Sequence, residues 1–124
     1  MGQAMYFQRI AAKNGNEDPF AIKRYVDESR RLIEVLNTRL EGRTYLVDAQ
    51  YTIADMAMYT WTRAYYWANV SVDGLPHLQK WLERIDARPA TQRALEIPEP
   101  YPAFFGKGDV KRQEDQNADR FKDN

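Results

Sequence analysis

The stretch Gln50-Tyr51-Thr52-Ile53-Ala54-Asp55-Met56-Ala57-Met58-Tyr59 sets one carboxylate in an almost wholly apolar run. A charge in such surroundings is costly unless donors hold it, so Asp55 is either a working acid or a part of the fold. Its spacing from Thr52 favours the fold. A hydroxyl followed three residues later by an acid, just before an apolar segment, is the pattern of a capping box, here with Asp where Glu is more usual. Thr52 accepts from the amide of Asp55, the carboxylate reaches back to the amide of Thr52, and Tyr51 and Met56 take the staple positions on either side. A helix therefore starts at Ile53. The helix dipole also favours an anion at that end.

From Ile53 to Trp67 the run is apolar or aromatic on most sides, the pattern of a central helix surrounded by protein. Upstream, Asp18-Pro19 opens another helix, Asp18 as the cap and Pro19 at the first position, where its missing N–H is not needed. Ile22, Tyr25, Val26, Leu32, Ile33, Leu36 and Leu40 then recur at spacings of three and four among charged residues, up to a stop at Gly42. Met1 to Lys13 reads as a helix stopped by Asn14-Gly15-Asn16. Downstream, Asp73-Gly74 turns the chain and Leu75-Pro76 restarts it into a helix with Leu78, Trp81, Leu82 and Ile85 on one face. Pro89 ends that helix. Ala90 to Ile97 forms a short last helix before Pro98, Pro100 and Pro102.

No segment alternates with period two between hairpin turns, so the expected fold is all-α, a bundle of about five helices. Residues 1–105 make one helical domain. Residues 106–124, with ten of nineteen positions charged, read as a polar, mobile tail because they offer little to bury.

The composition excludes more than it assigns. The 124 residues are 44% hydrophobic, enough for one core, and 18 basic residues balance 18 acidic ones. Nothing in that balance favours nucleic acid or an anionic membrane. With no cysteine there is no disulfide, thiolate metal site or Cys nucleophile. His77 is the only histidine, so no zinc set is expected and it reads as a helix-start residue. Neither a Gly-x-Ser-x-Gly elbow nor a Gly-rich phosphate loop is present. The amino terminus lacks the pattern of a secretory signal and no segment is long and apolar enough to span a bilayer, which gives a cytoplasmic expectation. No catalytic residue is assigned.

Tyr51-Thr52-Ile53-Ala54-Asp55-Met56 resembles the capping box and staple of the central helix in glutathione transferases. Leu75-Pro76-His77-Leu78-Gln79-Lys80-Trp81-Leu82-Glu83-Arg84-Ile85, with Ala87-Arg88-Pro89-Ala90, is similar to the segment after that helix. Ala21-Ile22-Lys23-Arg24-Tyr25 with Arg31-Leu32 resembles the long helix before it. Gly2-Gln3-Ala4-Met5-Tyr6-Phe7 resembles the first helix in bacterial, nu-class-like members related to the yeast nitrogen-regulator branch. Four motifs in the right order cover about residues 2 to 97.

The resemblance implies a glutathione transferase C-terminal-like fold, the half that shapes the co-substrate pocket and the dimer. It also implies a thioredoxin-like partner domain, which binds most of glutathione and activates its thiol. No segment of this sequence resembles that domain. Met1 falls where relatives still run from the linker into the first helix, which suggests an internal methionine turned start, or a fragment. By the same resemblance, Arg24 matches an arginine that reaches across the dimer to a glutathione carboxylate. Phe7, Trp61 and Tyr65 line the pocket for a small hydrophobic electrophile, against the competing reading of core packing. The expected co-substrate is glutathione, used only by the complete enzyme, with no metal. The expected partners are the thioredoxin-like domain and a second copy. The alternative is a non-catalytic protein interaction module of the same fold.

Overall fold

A computed structural model describes residues 1–47 and 49–97, and the expected tail, residues 106–124, lies outside them. The chain falls into two units, Met1–Ala87 and Arg88–Asn124. Among the described residues every regular element is helical, and the one β-type pairing is an isolated antiparallel bridge between Val47 and Gln50. Among the described residues no helix is long and apolar enough to cross a membrane.

In the first unit, α1 (Gly2–Met5) runs directly into a π-helical stretch, Tyr6–Ala11. It stops where expected, with Gly15 at φ +74°, a backbone conformation that glycine adopts without steric cost. The long helix α2 (Pro19–Arg39) starts at Asp18, whose carboxylate accepts from the Ala21 amide at 3.0 Å. The helix α3 (Ile53–Thr62) carries both arms of the capping box. A 3₁₀ turn, Tyr65–Ala68, follows it, and α4 is Pro76–Asp86. In the second unit, α5 (Pro89–Ala94) has Pro89 at its first position, so the proline that follows the end of α4 in sequence also opens the next helix.

The core of the first unit gathers Ala4, Ile33, Leu36, Leu40, Leu46, Tyr59, Val70, Leu78, Trp81 and Ile85. The expected α4 face is all there, with Leu78, Trp81 and Ile85 fully buried and Leu82 packed against them. Burying side chains of this size gains roughly 1.5–3 kcal/mol each, before ordering costs.

Four expectations change. The central helix ends at Thr62, not Trp67: Ala64 leaves the helical region at φ −92° and ψ 21°, and the chain tightens into the 3₁₀ turn, whose Trp67 and Ala68 carbonyls accept from Arg9 Nε and Gln8 Nε2. Nor is that helix covered all round: Ile53 is 81% exposed and Trp61 62%. Hydrophobic side chains at i, i+3, i+4 and i+8 can share one helix face without being buried in this chain. The staple differs as well. Tyr51 packs on the core with its ring edge-on to Tyr45 at 5.5 Å, while Met56 is exposed. Leu32, expected inside α2, is also exposed.

Candidate functional site

Asp55 is fully buried and satisfied on both oxygens. Oδ2 accepts from the Thr52 amide at 3.0 Å; Oδ1 accepts from the Leu46 amide at 3.0 Å and from Trp81 Nε1 at 2.9 Å. Burial pushes its carboxyl upward, but the donors from Leu46, Trp81 and Thr52 together hold it below the usual carboxylate range. An acid held ionised by three N–H groups has no proton to give at neutral pH, and its lone pairs are occupied. It ties the loop before α3, the start of α3 and the middle of α4 to one point. The sequence shows Thr52; Leu46 and Trp81 join only through the fold.

Tyr59 is buried one turn further along α3. Its hydroxyl donates to Asp86 at the end of α4, and burial, with that bond, pushes the phenol well above its ordinary value. The Arg63 guanidinium lies over its ring, 5.6 Å from the centroid. This phenol keeps its proton and is already engaged, so it offers nothing to a thiol. Asn37 is a further residue the sequence did not single out. From α2 its Oδ1 accepts the amides of both His77 and Leu78, each at 3.0 Å, and caps α4, whose own N-cap residue, Leu75, supplies no side-chain bond. His77 is thus a helix-start residue. Among the described residues no group of acidic or histidine side chains is arranged to hold a metal ion.

Arg24 stands exposed on the first half of α2. Its neighbours are paired: Lys23 with Asp27 at 2.6 Å, Arg30 with Glu34 at 2.7 Å, and Arg31 with Glu28 through two bonds of 2.8 Å. The Glu28 carboxyl is held low chiefly by the Arg31 bond, and the Arg24 charge adds to that. Among the described residues the Arg24 guanidinium donates no hydrogen bond, so its planar fork is available to a carboxylate.

The three expected pocket residues sit on separate supports. Phe7 is half-buried in the π-helical stretch, stacked on Tyr25 of α2 at 5.5 Å and 12°, with Tyr6 edge-on at 5.3 Å. Tyr65 opens the 3₁₀ turn, packed against the core and edge-on to Tyr66 at 5.7 Å. Trp61 lies near the start of the chain, its Cζ3 4.0 Å from where a Cβ on Gly2 would stand. Two residues outside the sequence reading join the first two supports. Gln8 Nε2 donates to Ala4 O at 3.0 Å and Ala68 O at 2.9 Å, and the Arg9 guanidinium lies 5.6 Å from the centre of the Trp67 ring. Nothing local in the sequence marks these pairs, which join positions about sixty residues apart.

Residues 6–89 match the family model described as glutathione S-transferase, C-terminal domain. The chain is 39% identical over 95 residues to the disulfide-bond oxidoreductase YfcG of Escherichia coli, an alignment covering 77% of this chain and 43% of that protein. To the disulfide-bond oxidoreductase YghU of the same organism it is 31% identical over 86 residues, 60% of this chain and 28% of the relative. Among solved structures it is similar to a glutathione transferase of Burkholderia graminis with two glutathione molecules bound per subunit. There the TM-score is 0.71 and the identity 39%, over 78% of this chain and 42% of the other. The chain spans less than half the length of the relatives it matches.

Proposed function

Because the chain belongs to the glutathione S-transferase family through its C-terminal domain, we propose that it serves as the co-substrate and dimer half of a cytoplasmic enzyme. That enzyme uses glutathione to conjugate or reduce electrophiles once a thioredoxin-like domain is joined to it. The observation that carries this reading is the 39% identity to the Burkholderia graminis transferase whose structure holds glutathione. A free thiol is mostly protonated at neutral pH and reacts as its thiolate. Among the described residues, the buried acid and phenol are both committed to the fold, so activation falls to the partner domain. Arg24, unpaired among the cations of α2, takes a glutathione carboxylate of the other subunit, and Phe7, Trp61 and Tyr65 face the second substrate. The motif at Gly2 to Phe7 supports placement in the nu-class-like branch.

The two relatives named as disulfide-bond oxidoreductases suggest the reductive form of the chemistry. This sequence has no cysteine, so it supplies no thiol to relay electrons. Two glutathione thiols then provide them: the first attacks the disulfide and releases one substrate thiol, and the second resolves the mixed disulfide and releases the other. Oxidised glutathione is the by-product.

Assayed alone with glutathione and either a chloronitrobenzene or a small organic disulfide, the chain is expected to give no saturable turnover. Fused behind the thioredoxin-like domain of the Burkholderia graminis enzyme it should gain turnover, and Arg24→Ala should then raise KM for glutathione several-fold. Saturable activity of the chain alone overturns the division of labour. A folded fusion without activity overturns the reading itself. The non-catalytic interaction module remains a second reading, favoured by the exposed apolar residues of α3. Self-association in light scattering without any glutathione binding supports it over the first.

A further inference from the structure

The turn that ends the first helix holds Asn14-Gly15, and both residues are exposed. The Asn14 carboxamide makes no hydrogen bond among the described residues, and a Cβ built on Gly15 meets nothing within 4 Å. The residue after Asn14 therefore has no side chain, and its surroundings are open. From this we infer that Asn14 is a site of spontaneous deamidation. The Gly15 nitrogen attacks Cγ of Asn14; the new N–Cγ bond closes a succinimide ring, the Cγ–Nδ2 bond breaks, and ammonia leaves with the amide proton. Water opens the ring at either carbonyl and leaves aspartate or isoaspartate.

The Gly15 amide donates to Ala12 O at 3.1 Å, and that bond must open before the nitrogen can attack. It belongs to the last turn of a helix, the part that frays most readily. The other asparagines of the described residues are placed differently. Asn37 sits within α2 with its carboxamide oxygen bonded to two amides and Thr38 next in sequence. Asn69 precedes the branched, buried Val70, and Asn16 precedes Glu17. Each following side chain hinders the approach that glycine permits.

The product matters to the neighbouring helix. A new negative charge at a helix carboxyl end opposes the dipole. Isoaspartate also lengthens the backbone within the loop closed by the Asn16 amide on Ala11 O at 2.9 Å, and Ala11 is the last residue of the π-helical stretch. Ageing would thus loosen the segment that carries Phe7, Gln8 and Arg9.

The test is timed incubation of the native chain in mildly alkaline buffer, followed by peptide mapping with fragment-ion mass spectrometry and isoaspartate methyltransferase labelling. Position 14 is expected to gain about one dalton and to take up label several-fold faster than positions 16, 37 and 69, at a rate within a few-fold of that in the unfolded chain. Conversion at Asn16 or Asn69 as fast as at Asn14 overturns the assignment. So does an unmodified Asn14 in the native chain while the unfolded chain converts, because the fold would then protect it.

Discussion

On one face of α3, Asp55, Tyr59 and Thr62 are buried, the first two bonded across to α4. On the other, Ile53, Met56 and Trp61 are exposed, although all six residues lie within ten positions of the same helix. The inner face is specified by hydrogen bonds as much as by apolar area: one carboxylate and one phenol determine where α4 stands. The outer face carries the more hydrophobic residues and contributes the least to the core of this unit. Hydrophobicity alone therefore does not tell which side of α3 holds the fold together.

The largest expected effect comes from removing the inner carboxylate. Asp55→Ala strands the amides of Leu46 and Thr52 and the Trp81 indole N–H, and should lower stability by about 3–5 kcal/mol in urea denaturation. A loss below about 1 kcal/mol would mean that water replaces the carboxylate at little cost. The pH dependence has a definite sign. The folded carboxyl is held below its ordinary value of 3.8, so its contribution is complete above that value and is lost as the pH falls through the lower folded one. The stability gap between wild type and Asp55→Asn should stay level from neutral pH down to about 4 and narrow only below it.

A smaller effect is expected one helix away. Asn37→Ala removes the side chain that caps α4 from α2, and should cost about 1 kcal/mol. Asn37→Asp keeps the acceptor and should recover most of that loss; an alanine variant as stable as wild type would show that the α4 amides find other partners. The smallest effect belongs to the outer face. Trp61→Ser should leave stability within about 0.5 kcal/mol of wild type while reducing any self-association seen by light scattering. If it unfolds the chain, the contrast between the faces fails.

Much of the inner face was legible in the sequence because its signals are local. Thr52 and Asp55 are three residues apart, Asp18 and Pro19 are adjacent, and the α4 face repeats at helical spacing. What stayed hidden is what folding brings together over distance. Trp81 reaches Asp55 across 26 positions, Asn37 caps α4 from 40 positions away, and Gln8 closes on Ala68 across 60. The π-helical turn belongs to the same class, since no local residue pattern announces it. The candidate site was less legible still. Arg24 looks like any cation of α2 until its neighbours are seen paired, and Trp61 looks like core until its exposure is known.

Leu46 carries a consequence of another kind. Among its described residues the segment between α2 and α3 has almost no regular structure, the sort of connection that proteases usually find first. Here one residue in it is held from both sides: Arg39 donates to its carbonyl at 2.9 Å and 3.1 Å, and its amide donates to Asp55, the carboxylate that also holds Trp81. Peeling this loop away exposes the same charge that anchors the core, so at Leu46 it cannot breathe independently of the helices on either side. Its opening at Leu46 should therefore be rarer than that of an untethered loop, and proteolytic nicking there is expected to be slow.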